Sequence, residues 1–419
     1  MTKAERGNGG TIDVVVIGAG QAGLAMSRWL SEREVGHVVL EREQTAHSWK
    51  HERWDSLHLL TPNWMTRLPG LQEASDQPDE FDSAADVAAT LERYAEAIGA
   101  PVRENTHVLS VRNEAGRGFA VTTDGGTWAC RAVVVASGAC VEPSTPSFAD
   151  RVPGHIQQVS PLEYRRPAQL PDGKVIVVGA SASGVQLADE IVRSGRDVVL
   201  CVGEHRRMLR RYRGMDIFWW METTGMLDEG ADVSERPPPS MQLVGTPEHR
   251  TLDLNALQDV GVQLVGRMVG INAGNALVDD TLAEHCAASD AAMLEVLARI
   301  DRYAADHGLD GEVDAAAPVE PTRVPEPVDS IGLDDVRSIV WATGFAPHFP
   351  FLDPAWLDQR GAIVHRDGIV EEPGLYVIGL PYTRRRTSNF INGVGDDARD
   401  LSAHLLAFLD DRAADLTRS

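Results

Sequence analysis

Ile12-Asp13-Val14-Val15-Val16-Ile17-Gly18-Ala19-Gly20-Gln21-Ala22-Gly23 is the stretch whose reading decides the fold. A short apolar run ends in a Gly-x-Gly-x-x-Gly turn, and Leu24, Ala25, Trp29 and Leu30 then recur at helical spacing. Ser31 to Gly36 reads as a turn, and His37-Val38-Val39-Leu40-Glu41 as the next strand. The unit is strand, helix, strand. In such a turn Gly18 permits the tight bend, Gly20 lets backbone approach a diphosphate, and Gly23 lets helix and strand pack closely. The diphosphate rests on a helix N-terminus, where unpaired N–H groups and the positive end of the dipole meet an anion. Glu41 follows Gly18 by 23 residues (41 minus 18), near the ~20 expected of an acid that binds a ribose hydroxyl.

The same grammar returns 161 positions later (179 minus 18). Lys174 to Val178 is apolar after its first residue, Gly179-Ala180-Ser181-Ala182-Ser183-Gly184 is the turn, a helix runs to Arg193, and Asp197 to Cys201 is the following strand. Two Rossmann-like dinucleotide-binding domains are therefore expected in an α/β chain. Ser181 replaces the middle glycine; its hydroxyl, like that of Ser183, is a donor suited to phosphate. Aligning Val198 to Cys201 with Val38 to Glu41 puts Cys201 where the acid stood, with His205, Arg206 and Arg207 close behind. An acid repels a 2′-phosphate and arginines attract one, so the second turn reads as an NADPH site with Arg206 and Arg207 on that phosphate. A solvated basic loop is the alternative.

Between the turns, Ser83 to Ile98 reads as helix and Val108 to Val135 as strands, with a hairpin turn at Thr123-Asp124-Gly125-Gly126-Thr127. After the second unit, Thr281 to His307 reads as helix and the Pro-rich Ala315 to Val328 as loop. Strands are expected at Ser338 to Ala342 and Leu375 to Gly379, and a last helix from about Asp396 to Leu409. The expected domains are 10–160 with 338–419, built on the first turn, and 161–337, built on the second, with an insertion at about 207–332. Within that insertion, Asp216 to Met221 either lines a substrate pocket or packs a core. The run Arg206 to Arg213 is dense enough to cover cofactor phosphates.

Composition narrows the partners. Thirty-nine basic against 62 acidic residues give a formal charge of -23, which disfavours nucleic acid and anionic membrane. The polar Met1 to Gly10 lacks a signal-peptide core, and no run reaches the ~18 apolar residues of a membrane span. The expectation is a soluble cytoplasmic protein, of open oligomeric state with a homodimer as one option. Cys130, Cys140, Cys201 and Cys286 form no CxxC pair, so neither a metal site nor a redox disulfide is expected.

Two such turns in this order, with Ala136-Ser137-Gly138 and Trp341-Ala342-Thr343-Gly344-Phe345 at the crossings between domains, resemble the flavin-containing monooxygenases and their Baeyer-Villiger relatives. The resemblance implies three-layer ββα domains and carries over, as contacts of FAD or of the crossings, Ala136, Gly138, Thr343, Gly344 and Val108. Ser48-Trp49, Arg53 to Leu57 and Leu59-Leu60-Thr61-Pro62 look like the family segment that runs under the isoalloxazine ring, so Trp49, Ser56 and Thr61 are carried over as flavin contacts. Asn63, one place out from the family's asparagine near the reactive flavin carbon, is the candidate catalytic residue. Gly374 to Ala398 looks like the family's last contribution to the flavin, with Asp396 and Asp397 either at the ring or as plain helix caps. The family fingerprint keeps its aromatic as Tyr164, but Ser160 or Gln158 stands for its histidine, which bears on oxygenation rather than on cofactor binding.

The activity so implied is an FAD- and NADPH-dependent monooxygenase that uses molecular oxygen, through a C4a-peroxyflavin, on sulfur or nitrogen of a small-molecule substrate. The alternative is a flavin-dependent NAD(P)H oxidase or reductase without oxygen insertion. A non-catalytic nucleotide-binding module is a third reading.

Overall fold

The computed structural model describes residues 11–71, 75–114, 117–230 and 238–418. The ends of the expected FAD-binding domain, 10 and 419, and part of the expected insertion, 231–237, lie outside them. The chain opens with β1 (Thr11–Ile17), α1 (Gln21–Glu32) and β2 (His37–Leu40), then α2 (Ala84–Ala97), β3 (Val102–Arg103), β4 (Val108–Asn113), β5 (Phe119–Thr123) and β6 (Gly126–Val135). It continues through β7 (Gln157–Val159), β8 (Lys174–Val178), α3 (Ala182–Arg193), β9 (Val198–Cys201), α4 (Ile217–Thr223) and β10 (Gln263–Val265). β11 (Met268–Asn272), β12 (Asn275–Val278), α5 (Leu282–Asp306), β13 (Ser330–Gly332), β14 (Val336–Trp341), β15 (Leu375–Val377) and α6 (Val394–Arg418) complete it.

The first sheet runs β15-β6-β1-β2-β3, all parallel, and β6 also carries the antiparallel strands β5 and β4. Burial along β6 explains how one strand serves both. Gly126 to Ala129 alternates between faces as a half-solvated antiparallel strand does, whereas Ala132 to Val135 is buried throughout, as in a parallel sheet covered on both sides. Leu24, Met26 and Leu30 of α1, Leu91 and Tyr94 of α2 and Leu401 and Leu405 of α6 form the helical layer on one face. Val111, Phe119, Val121 and Trp356 cover the other.

The second sheet repeats the plan as β10-β9-β8-β14-β7, all parallel. Val185, Leu187 and Ile191 of α3 cover one face, and the antiparallel layer β11-β12-β13 covers the other. Helix, parallel sheet and antiparallel layer thus occur twice, giving the three-layer ββα arrangement in both halves. The crossings Glu142–Pro143 and Phe345–Ala346 pair with each other antiparallel, so the two connections between sheets lie side by side.

The stretch 207–332 is not one insertion. β10, β11, β12 and β13 lie within it and belong to the second sheet and its covering layer. What is added is the segment around α4 and the helix α5 with its Pro-rich tail, and the two share a core of Phe218, Trp220, Met221, Met293, Leu297 and Ile300. Ile217, Phe218, Trp220 and Met221 are therefore packing residues. Strands of three to five residues in an acidic stretch leave too little periodicity to be seen in the sequence.

Candidate functional site

The two glycine turns superimpose in their chemistry. Gly18 has φ +108°, and a Cβ there would sit 2.6 Å from the Ala136 carbonyl; Gly179 has φ +105°, and a Cβ would sit 2.3 Å from the Ala342 carbonyl. A Cβ on Gly23 would fall 1.9 Å from the Gly18 oxygen, and one on Gly184 would fall 1.8 Å from that of Gly179. These four positions exclude any side chain. Gly20 differs: a Cβ there meets no protein atom within 4 Å, so the space above α1 is open. Ser181 holds the matching place above α3. Gly138 and Gly344, at the two crossings, have φ +82° and +87° with equally open surroundings.

Helix starts point the same way. α2 begins with a Ser83–Asp86 capping box, and Asp216 and Asp253 cap the helices after them. Of the described helices of 12 residues or more, only α1 and α3 begin with neither a capping side chain nor a first-turn acid. The Ser181 hydroxyl makes no cap bond, and Ser183 lies in the first turn of α3. Exposed N–H groups at a dipole's positive end are the donor set for an anion. The Ser137 backbone lies beside Gly18, and the buried Ser137 hydroxyl has no hydrogen-bond partner.

Glu41 accepts hydrogen bonds from the Ala19 amide at 2.8 Å and the Glu43 amide at 3.1 Å, which holds its carboxylate over the first turn. The corresponding position in the second half is Val202, not Cys201. The Gly18 amide bonds the Leu40 carbonyl at 2.8 Å and the Gly179 amide bonds the Cys201 carbonyl at 2.9 Å, so Leu40 matches Cys201. The sequence alignment was out by one residue, because a run of similar apolar side chains does not fix register. Val202 is fully buried, and no acid stands in that place.

Most of the basic run is turned inward. Arg207 is 5% exposed and ion-paired to Asp253 and Asp290, each at 2.8 Å, with a further hydrogen bond to the Glu320 carbonyl. Burial works against its charge, but Asp290 and Asp253 outweigh it and raise its pKa. It has no guanidinium edge left for a phosphate. Arg210 pairs with Asp216, donates to the Leu60 carbonyl and sits between the rings of Phe81 and Phe218, while Arg213 pairs with Asp301 and Asp310. Arg206, half-buried, has no ion-pair partner among the described residues.

Asn63 is likewise engaged. Its amide nitrogen donates to the Gln77 carbonyl at 3.1 Å and its oxygen accepts from the Asp82 amide at 2.7 Å, so it bridges the 77–82 loop as a structural residue. Trp49 is half-buried and donates to the Gln21 side chain at the first turn of α1. Thr61 is half-buried, and Val108 is buried in the core of the first half, leaving its backbone as its polar surface. Ser56 bonds Glu190 of α3. Thr343 donates to the Ser144 carbonyl, which ties one crossing to the other. Asp396 and Asp397 are first-turn acids of α6 rather than caps, where they stabilise the helix dipole. Asp396 is held by Arg399 at 2.9 Å, and Asp397, 1% exposed, lies 3.1 Å from Arg385. Burial raises the Asp397 carboxyl despite the Ser388 hydroxyl and Arg385 beside it.

Of the fingerprint region, Gln158 lies on β7 and accepts from the Trp341 indole at 2.9 Å. Tyr164 is fully buried and donates to Glu190 at 3.1 Å. All four cysteines are free. Burial pushes the Cys130 and Cys201 thiols up to about 12, so they are inert thiols at neutral pH. No helix among the described residues is long and apolar enough to cross a membrane.

Comparison with known proteins agrees with this geometry. Residues 15–213 match the pyridine nucleotide-disulphide oxidoreductase family. A CzcO-like uncharacterized oxidoreductase of Geobacillus kaustophilus is 30% identical over 94% of this chain and 98% of its own. The indole-3-pyruvate monooxygenase YUCCA1 of Oryza sativa is 26% identical over 93% of this chain and 90% of its own. In fold, the flavin-containing monooxygenase of Stenotrophomonas maltophilia is similar with a TM-score of 0.66 at 21% identity, covering 95% and 99% of the two chains. Flavin and nicotinamide cofactors go with this relationship. The chain belongs to the family of flavin-dependent monooxygenases and oxidoreductases that includes the CzcO-like oxidoreductases.

Proposed function

We propose that the protein is an FAD-dependent monooxygenase that takes reducing equivalents from NADPH and oxygenates a small molecule at sulfur or nitrogen. The observation that carries this is the pair of matched turns, open above Gly20, with no cap bond from Ser181, and differing where an acid, Glu41, is replaced by Val202. The FAD diphosphate would rest on the N-terminus of α1 with Gly20 beneath it, and Glu41 would hold the adenosine ribose. The NADPH diphosphate would rest on α3, with the Ser181 and Ser183 hydroxyls as donors. The expected bounds, 10–160 with 338–419 and 161–337, cut across the second sheet, because β7 (157–159) and β14 (336–341) belong to it; the FAD domain would end before 157 and resume after 341, with 157–341 as the NADPH domain.

Bound flavin supplies the redox and oxygen chemistry, and the chain supplies position and a dry site. Trp49 would cover one end of the ring, its indole fixed by Gln21. The start of α6, with Asn392 carrying a buried side-chain oxygen without a partner, would present backbone N–H groups to the ring's anionic edge. Ala136, Gly138, Thr343 and Gly344 would hold the crossings beside the cofactors.

A second reading, an oxidase or reductase that inserts no oxygen, is favoured by one observation: Ser160 or Gln158 stands for the fingerprint histidine, and Gln158 is bound to Trp341. Mixing the purified yellow protein anaerobically with NADPH should bleach it. Admitting 18O-labelled dioxygen with thioanisole should then yield labelled sulfoxide. Stoichiometric peroxide with no label would select the oxidase, and no bleaching by NADPH or NADH would remove both readings.

A further inference from the structure

We infer that Arg267, acting with Arg206, is the residue that recognises the 2′-phosphate of the nicotinamide dinucleotide; this rests on the NADPH reading above. Arg206 and Arg207 are the expected partners of that phosphate, but Arg207 is closed inside its ion pairs with Asp253 and Asp290. A replacement must come from another part of the chain.

The sheet supplies it. β10 lies beside β9, parallel and in register, with Cys201 opposite Val265 and the Val202 amide bonded to the Val265 carbonyl at 3.0 Å. Both strands end at the edge where α3 begins, the edge at which a dinucleotide lies in a parallel sheet of this type. The residues just past the two ends, Gly203 and Arg267, therefore lie side by side at the edge where the adenosine ribose would sit. The stem of Arg267 lies on the open face of Gly203, its Cγ and Cδ 3.7 Å from where a Cβ would stand.

Arg267 is also fixed at its base. A Cβ on Gly266 would lie 1.9 Å from the Asp279 carbonyl, so only glycine allows the turn to press against Asp279. The Arg267 amide donates to the Asp279 carboxylate at 3.0 Å, and the Asp279 amide donates back to the Arg267 carbonyl at 3.0 Å. That carboxylate also accepts from the Thr281 hydroxyl and amide, so it is satisfied locally. The guanidinium itself is on an exposed residue with no ion-pair partner among the described residues.

The other charges near the loop are few. Glu204 is exposed and is the one acid between Val202 and Arg206, and the Asp279 carboxylate, bound to the Arg267 amide, is the acid at the base of Arg267. His205 is buried, with Nδ1 on the Gly203 carbonyl, and burial holds its pKa down, which keeps it neutral. A phosphomonoester dianion would be met by the planar fork of Arg267 and by Arg206, with no buried charge to displace.

The test uses the purified holoenzyme and two fragments, adenosine 2′,5′-bisphosphate and 5′-AMP, titrated by calorimetry. The wild type should bind the bisphosphate more tightly. Arg267→Ala should weaken the bisphosphate by about tenfold or more and leave 5′-AMP within about twofold, and it should flatten the salt dependence of bisphosphate binding. Arg267→Lys, which keeps the charge but not the fork, should fall between. An unchanged bisphosphate to 5′-AMP ratio in Arg267→Ala, with the wild type discriminating, overturns the Arg267 assignment alone. A wild type that binds both fragments equally overturns the NADPH reading and this assignment with it.

Discussion

The Tyr164 hydroxyl donates to Glu190 at 3.1 Å and so joins the segment after β7 to α3. Glu190 also bonds Ser56, which lies in the segment before α2. Burial is the main cause that lifts its carboxyl above 4.5, with Asp55 and Asp189 adding to it and the Ser56 and Tyr164 hydroxyls opposing. The native protein thus holds this proton to higher pH than the unfolded chain does, so stability falls as pH rises from about 4.5 through the raised value. Glu190→Gln keeps the shape and removes the charge. Its melting temperature relative to wild type should rise between pH 5 and pH 8. An equal difference at both pH values would exclude a charge cost at this site.

Gly18, Gly20 and Gly23 should separate under alanine substitution. Gly18→Ala and Gly23→Ala force a Cβ against backbone oxygens at 2.6 and 1.9 Å and should lose the fold. Gly20→Ala meets nothing in the protein and should fold with near wild-type melting, yet be purified with little flavin, because the methyl enters the space meant for the diphosphate. Flavin content measured by absorbance, beside circular dichroism, decides. A yellow Gly20→Ala protein would place the diphosphate elsewhere.

Arg207→Ala should cost about 3–5 kcal/mol in chemical denaturation, since it leaves the buried Asp253 and the half-buried Asp290 without their cation. The ratio of KM values for NADPH and NADH should not move in the folded fraction. A selective rise for NADPH would restore Arg207 to the cofactor.

Asn63→Ala removes two hydrogen bonds that hold the 77–82 loop, and should cost about 1–3 kcal/mol. Reduction of the flavin by NADPH in a stopped-flow experiment should keep its rate once folding is controlled for. A slower rate with unchanged stability would make Asn63 part of the chemistry.

The sequence by itself determined the two βαβ turns through the spacing of their glycines: Gly23 and Gly184 are demanded by the nearby carbonyls of Gly18 and Gly179, while Gly18 and Gly179 press on Ala136 and Ala342, far along the chain. It also determined α2, whose Ser83 and Asp86 form a local capping box, and the hairpin at Thr123 to Gly126. Local structure is written locally. What only the tertiary structure decided is the partner of each charged group. Arg206 and Arg207 are neighbours in sequence, yet one has no ion-pair partner among the described residues and the other is enclosed by Asp253 and Asp290. Arg267 becomes adjacent to Gly203 only because β10 lies beside β9. The acid position moved from Cys201 to Val202 for the same reason: a strand's register is set by the sheet it joins, while its own apolar run is equally content one residue either way.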